Sequence, residues 1–217
     1  INTGIGRVQH AQHKYLPHFG IELIADPERA DLIASHVQQF DLPYVDVLHC
    51  HGLYWTGEEG AGRYQAWHNS ANQKIGEAAR RARAITVPSQ WVAAPFRRDM
   101  RLSPYVIGHG IEPDEWKQAE SWDYLFWNKN RNADVCDPTP AWEMAQRGYK
   151  VLTTFAPDKL IPENMKVCGL LAVDEMKEAL SHAEFYLATT QETFGIGTLE
   201  AMASGVPVLG WNIGGTR

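Results

Sequence analysis

The sequence predicts an α/β protein built on mainly parallel sheets, and three observations predict it. Short runs rich in β-branched and aromatic residues alternate with amphipathic helical segments along the whole chain. Many of those runs end in a polar residue or glycine, among them His36, His51-Gly52, Ser89, His109-Gly110, Asn128-Lys129, Gly169 and Glu192. Parallel strands deliver such ends to one rim, where open α/β sheets bind their ligands. Finally, the pattern restarts after a Gly-, Pro- and charge-rich stretch, so two similar units are expected, residues 1–113 and 114–217.

In order, TGIGR leads into the helical stretch RVQHAQHKYL, and ADLIAS (30–35) and YVDVLHC (44–50) read as strands. The long helix SANQKIGEAARRA precedes the strand RAITVP (83–88). SQWVAAPFRRDM then reads as a helix with Ser89 as its N-cap, followed by the strand PYVIG (104–108). GHGIEPDEWKQAESWD contains no strand pattern and reads as the connection between units. Beyond it come the strand DYLFW (123–127), the helix PAWEMAQRG, the strands YKVLTTF and NMKVCG, and the helix VDEMKEALSHA. The strand EFYLATT follows, then a helix starting at Thr198, closed by Gly205 ahead of Pro207, and the strand VPVLGW.

Composition narrows the function. The 217 residues carry 20 Lys and Arg against 26 Asp and Glu, a net charge of −6. The one basic cluster, RRAR at 80–83, sits in a helical pattern and reads as a solvated face. Nucleic acid is excluded as the main partner, because binding it requires a broad positive footprint. Three widely spaced cysteines form no disulfide framework and fit a reducing, cytoplasmic compartment. No apolar run is long enough to span a bilayer, and INTGIGRVQHAQH is too polar for a signal peptide. The chain opens inside what reads as a strand-to-helix turn and stops just past Gly214-Gly215, so it reads as a piece of a longer protein. Peripheral contact with the inner face of a membrane, and oligomeric state, are left open.

The most informative stretch is QETFGIGTLEAMASGVPVLGWNIGG, in which Glu192 and Glu200 stand seven residues apart. Between them, Gly195 and Gly197 let the backbone approach a ligand with no Cβ in the way. Thr198 then starts a helix whose open N–H groups suit a phosphate or diphosphate. Thr193, Phe194, Gly195, Ile196, Gly197 and Thr198 are therefore candidate donor-binding residues. A carboxylate beside an anion site must face something other than phosphate, so Glu200 is assigned to ribose hydroxyls and Glu192 to sugar hydroxyls. Lys129 and Arg131 in FWNKNRNADVCD are the available cations, with bidentate phosphate contact suiting Arg and point-charge neutralisation suiting Lys. Their individual roles stay unassigned.

His51 ends a strand just before Gly52 and is a candidate lining residue of the reaction centre. His49-Cys50-His51 is not read as a metal site, because neighbouring strand residues point apart and no further ligand set accompanies them. His36 and His109 receive no catalytic role, and Glu58 in LYWTGEEG is noted only as an acid on the same side. Gly4 and Gly6 begin a G-x-G pattern, but position 9 is glutamine, so a nicotinamide site is not supported.

These residues carry a resemblance. The stretch from Glu192 resembles the E-x7-E motif of the retaining glycosyltransferases of family 4, which have the GT-B fold. EAMASGVPVLGWNIGG resembles that family's EAMA-x-G-x-P-V run ending in Gly-Gly, and AVDEMKEALSHAEFYLATT its preceding helix and strand. In the first half, RRARAITVPSQWVAAPFRRDM, YVIGHGIEPDEW, HCHGLYW and TGIGR resemble the family's corresponding passages. There are departures: no first strand precedes Asn2, the chain stops before the glutamate that follows Gly-Gly in the family, and the Gly-Arg…Lys-Gly pair is not clean. The resemblance implies two Rossmann-like domains facing across a cleft, with Gly4 and Gly6 approaching the donor diphosphate and His51 and Glu192 catalytic. It also implies metal-independent transfer, with retention, from a nucleotide-diphosphate sugar to a hydroxyl of a sugar, lipid or small-molecule acceptor. No cofactor is expected. A sugar-nucleotide-binding module without transfer and a sugar-nucleotide epimerase are the alternatives.

Overall fold

The computed structural model describes residues 4–54, 66–129, 136–155 and 160–216. They form two compact units, divided after His109.

The first unit begins with α1 (Gly4–Tyr15), so Gly4 and Gly6 are helical rather than part of a turn ahead of the helix. Its sheet is parallel, in the order β1 (Ala34–His36), β2 (Val47–His49), β3 (Ala84–Val87) and β4 (Tyr105–Val106). His36 pairs with His49 across β1 and β2, and His49 with Thr86 across β2 and β3. That register puts the polar strand ends side by side. Below them, α2 (Ala66–Arg81) supplies Ile75, Ala78 and Ala79 to the core, and α3 (Gln90–Met100) supplies Val92, Ala93 and Phe96. They pack on Leu48, Ile85 and Val87 of the strands. The Ser89 hydroxyl accepts from the Val92 amide at 3.2 Å, the expected N-cap.

The second unit is a parallel sheet of β5 (Tyr124–Trp127), β6 (Val151–Thr153), β7 (Met165–Val167), β8 (Ala183–Ala188) and β9 (Val208–Gly210). The strands lie in the order β7-β6-β5-β8-β9. Both faces are covered, so the strands are nearly continuous apolar runs. Phe126, Leu152 and Tyr186 face α5 (Val173–Ser181) and α6 (Ile196–Ala203), while Leu125, Trp127 and Leu187 face α4 (Thr139–Gln146). The connecting stretch is not a free tether. Trp116 is buried in the second core, with Ile111 packed against it.

The order β7-β6-β5-β8-β9 reverses direction between β5 and β8. At such a switch point the loops leaving adjacent strands run to opposite sides and open a crevice beyond the strands' carboxyl ends. Asn128-Lys129 leaves β5 there, and Thr189–Gly195 leaves β8.

Candidate functional site

A small, open cleft lies at that switch point, lined by Lys129, Thr190, Glu192, Gly195, Gly197 and Thr198, with Tyr186–Ala188 as its floor. Lys129 is held from below. The Thr154 hydroxyl, at the end of β6, accepts from the Lys129 amide at 2.7 Å and also contacts the Lys129 carbonyl and the Asn128 side chain. The Trp127 indole donates to Thr189 at 2.9 Å, and Thr189 donates in turn to the Asp137 carbonyl, which fixes the end of β8 against β5. These are buried, satisfied hydrogen bonds, the kind that rigidify a site.

From this platform the Lys129 ammonium reaches the Glu192 carboxylate at 2.8 Å. The lysine side chain is only 10% exposed and the glutamate 44%. A largely buried ammonium needs a counter-charge, and Glu192 supplies one within the chain. The sequence reading gave these two residues separate partners; the sheet order brings them into contact.

The helix beyond the cleft starts two residues earlier than expected. Gly195 is the N-cap, with φ of 89°, and Ile196 is the first helical residue. The amides of Thr198 and Leu199 both bond the Gly195 carbonyl, at 3.0 and 3.2 Å. The N–H groups of Ile196 and Gly197 precede those first intrahelical bonds, and the first turn contains no acid. Glu200 consequently falls in the second turn rather than the first, and it is buried, 2% exposed. It is not among the residues lining the cleft. Ser204 caps the far end, with Gly205 and Val206 donating back to the Met202 and Ala201 carbonyls in a complete Schellman pattern.

Glycine is needed here for close approach. A Cβ on Gly197 would stand 2.6 Å from the Tyr186 hydroxyl. Gly214 and Gly215 do not wait on a ligand; they press on the loop that carries Glu192. A Cβ on Gly215 would lie 2.0 Å from the Thr193 carbonyl, and the Gly215 amide donates to the Glu192 carbonyl at 2.7 Å. Thr193 and Phe194 thus sit in a loop clamped by the chain's last turn.

Sequence reasoning missed Thr190. It is 6% exposed, its hydroxyl has no hydrogen-bond partner among the described residues, and it lines the cleft beside Lys129 and Glu192. An unpartnered buried hydroxyl costs about 1–3 kcal/mol unless a ligand satisfies it. Its position as the last residue of EFYLATT was the available signal.

In the first unit, His51 lies not alone but in a cluster with His36, His49 and His109. His36 Nδ1 and His51 Nε2 are 2.8 Å apart, and the His51 and His109 rings stack at 5.8 Å. Burial, then the neighbouring imidazoles, lowers His36 and His51 to about 4, and burial also lowers His49 and His109. The cluster is neutral at ordinary pH. Gly4 and Gly6 belong to this unit, Gly4 exposed and Gly6 buried in α1. Arg131 and Glu58 lie outside the described residues. Among the described residues no group of three or more His, Cys, Asp or Glu is arranged to hold a metal ion, and no helix is long and apolar enough to cross a membrane.

Comparison with known proteins identifies the fold. The fold is that of GT-B glycosyltransferases. Sucrose-phosphate synthase from Thermosynechococcus elongatus superposes with a TM-score of 0.63 at 16% identity, covering 79% of this chain and 51% of that one. The Anabaena protein HepE, solved in complex with UDP-glucose, superposes with a TM-score of 0.59 at 16% identity, covering 78% and 54%. A glycosyltransferase from Rickettsia africae gives 0.51 at 12% identity, covering 79% and 59%. The matched part of this chain therefore spans about half the length of these proteins. Residues 147–217, which include the cleft's β8 and α6, match the family model of the glycosyl transferases group 1. No curated protein sequence matches the chain.

Proposed function

We propose that this chain forms the core of a retaining glycosyltransferase of family 4. It would move a sugar from a nucleoside-diphosphate donor to the hydroxyl of a sugar, lipid or small-molecule acceptor. The reading rests above all on the cleft at the β5–β8 switch point, where a buried lysine, an unpartnered hydroxyl and a helix start converge. Those are three kinds of donor for an anionic group, and among the described residues Glu192 is the one carboxylate lining the cleft.

In this reading the diphosphate lies against the amides of Ile196 and Gly197, with Lys129 turning from Glu192 to a phosphate oxygen. As the bond between sugar and diphosphate breaks, negative charge grows on the leaving phosphate, and donors fixed in place stabilise that charge without reorganising. Glu192, released from its lysine, meets the sugar, where its carboxylate stabilises the positive charge of an oxocarbenium-like transition state. His51, in the first unit, remains a proposed catalytic residue. Glu200, buried in α6, takes the ribose hydroxyls if the nucleotide enters behind the helix start. Lys129 and the helix N-terminus do the work a divalent ion does elsewhere, so transfer proceeds without metal. The donor in the complex of HepE favours uridine among the bases to test first.

The test is incubation of the protein with UDP- and GDP-sugars and simple acceptors, following released nucleoside diphosphate and product anomer. Transfer with retention, unaffected by EDTA, is expected. Nucleotide binding with neither transfer nor donor hydrolysis assigns a binding module instead, and an epimerised donor assigns an epimerase.

A further inference from the structure

Three histidines of the first unit's cluster form one continuous hydrogen-bonded chain with Gln12 and Thr86. His51 Nε2 meets His36 Nδ1 at 2.8 Å, and His36 Nε2 meets Gln12 Oε1 at 3.0 Å. Gln12 Nε2 then meets His49 Nε2 at 3.4 Å, and His49 Nδ1 meets Thr86 Oγ1 at 2.7 Å. Each neutral imidazole has one donor nitrogen and one acceptor nitrogen and can exchange them. The Thr86 hydroxyl can donate or accept. Gln12 is the one member whose two ends differ in kind, so it sets the direction of the whole chain.

The direction follows link by link. The Gln12 carbonyl oxygen only accepts, so His36 Nε2 carries a proton and donates to it. His36 Nδ1 is then bare, and must accept from a proton on His51 Nε2. On the other side, the Gln12 amide nitrogen only donates, so His49 Nε2 is bare and His49 Nδ1 donates to Thr86. His51 is left with its second nitrogen, Nδ1, unprotonated. The lowered proton affinity of the four rings keeps the chain in this neutral form.

We infer that Gln12 and His36 are positioning residues that hold His51 as its Nε2–H tautomer, so that it presents a bare Nδ1 able to accept a hydrogen bond from a ligand hydroxyl. The ligand class is a polyol or sugar that offers a donor hydroxyl, rather than an anion, which a neutral acceptor nitrogen repels. The inference rests on the reading of His51 as a residue lining the sugar site only for the identity of that ligand; the tautomer stands independently of it.

The experiment is long-range proton–nitrogen NMR on the full chain labelled at histidine nitrogens, above neutral pH and without ligand. The wild type is expected to show His51 protonated at Nε2 and bare at Nδ1, with His49 in the opposite tautomer. Gln12→Leu removes the polarising amide, and His51 is expected to give averaged nitrogen signals from both tautomers. Gln12→Glu offers only acceptors: His51 keeps its tautomer, because His36 still donates to the carboxylate, while His49 switches to Nε2–H. A structural role for Gln12 does not produce that split response. A wild-type His51 protonated at Nδ1, or a His51 tautomer unmoved in Gln12→Leu, overturns the inference. If the tautomers behave as stated and no nucleotide sugar is turned over, the transferase reading fails and the positioning role remains.

Discussion

At the carboxyl ends of the first sheet, three imidazoles, a glutamine and a threonine satisfy one another with no formal charge; at those of the second, an ammonium and a carboxylate stand 2.8 Å apart beside a helix start. Both ends are polar and partly buried, yet they solve burial differently. A neutral polar group is satisfied by a hydrogen bond, so the histidine chain is complete in itself and offers a ligand one fixed acceptor. A buried charge requires another charge, and Glu192 fills that need for Lys129 from a half-exposed position. The second site is therefore exchangeable: an incoming anion can take the carboxylate's place. The partly solvated pair itself is worth little, about 1 kcal/mol or less, which leaves it easily opened.

The sharpest way to break the comparison is at the lysine. Lys129→Ala removes the charged donor, and hydrogen bonds to charged groups are worth roughly 1.5–3 kcal/mol. Binding of a nucleoside diphosphate should weaken by roughly 10- to 100-fold while the free nucleoside is unaffected. Glu192→Gln should act in the opposite direction, freeing the ammonium and tightening the bare nucleoside diphosphate while transfer is lost. Calorimetric titration of both variants with both ligands decides it, and a Glu192→Gln protein that binds the diphosphate more weakly counts against exchange.

Acid should separate the two regions next. His36 and His51 are lowered from an ordinary 6.5 to about 4, and His49 and His109 are lowered as well. As pH falls below 6.5 the unfolded chain takes up protons that the folded cluster refuses. The stability contributed by the neutral cluster is thus fully present above that value and is lost as pH falls toward 4. Thermal unfolding followed at about pH 7.5 and about pH 5 should show the melting point falling, with a smaller fall in His36→Asn. Equal melting points would remove the neutral-cluster account.

How much of this was legible in the sequence differs between the regions for the same reason. The cleft's loop is local: Glu192, Gly195 and Gly197 lie within six residues, and their types already state an anion site with a carboxylate beside it. What was not legible is whatever needs two strands. Lys129 and Glu192 are 63 residues apart and meet only because the sheet order reverses between β5 and β8. Gln12 reaches His36 and His49 across 24 and 37 residues, and only the register of β1, β2 and β3 aligns them. The helix start was misplaced at Thr198 because its cap is a left-handed glycine, Gly195, which has no capping side chain to mark it. The single wide view the sequence did afford was that polar residues gather at strand ends.

A smaller effect tests the packing that shapes the cleft. Gly197→Ala sets a methyl 2.6 Å from the buried Tyr186 hydroxyl and should cost about 1–3 kcal/mol of stability. Adding Tyr186→Phe deletes that oxygen and leaves ring carbon Cζ at 3.5 Å, an ordinary contact, so the double variant should regain most of the loss. Chemical denaturation of the two single variants and the double one reads this directly. No recovery would mean that the backbone at Gly197, not the space beside it, demands glycine.

The smallest expected effect is the most discriminating, because stability and binding should move in opposite directions. The Thr190 hydroxyl is buried with no partner among the described residues, so the folded chain bears its desolvation and gains nothing from it. Thr190→Val keeps the shape and removes the oxygen. The free protein should be as stable as the wild type or more so, by up to about 1 kcal/mol. If the hydroxyl exists to meet a ligand in the cleft, the same change should weaken donor binding by roughly 3- to 10-fold, the loss of one hydrogen bond. The Lys129 ammonium sets no such conflict, since its loss harms binding and leaves the Glu192 carboxylate in solvent. A Thr190→Val protein that is less stable and binds donor normally would show the hydroxyl to be part of the fold, and the cleft would lose the donor that none of the described residues uses.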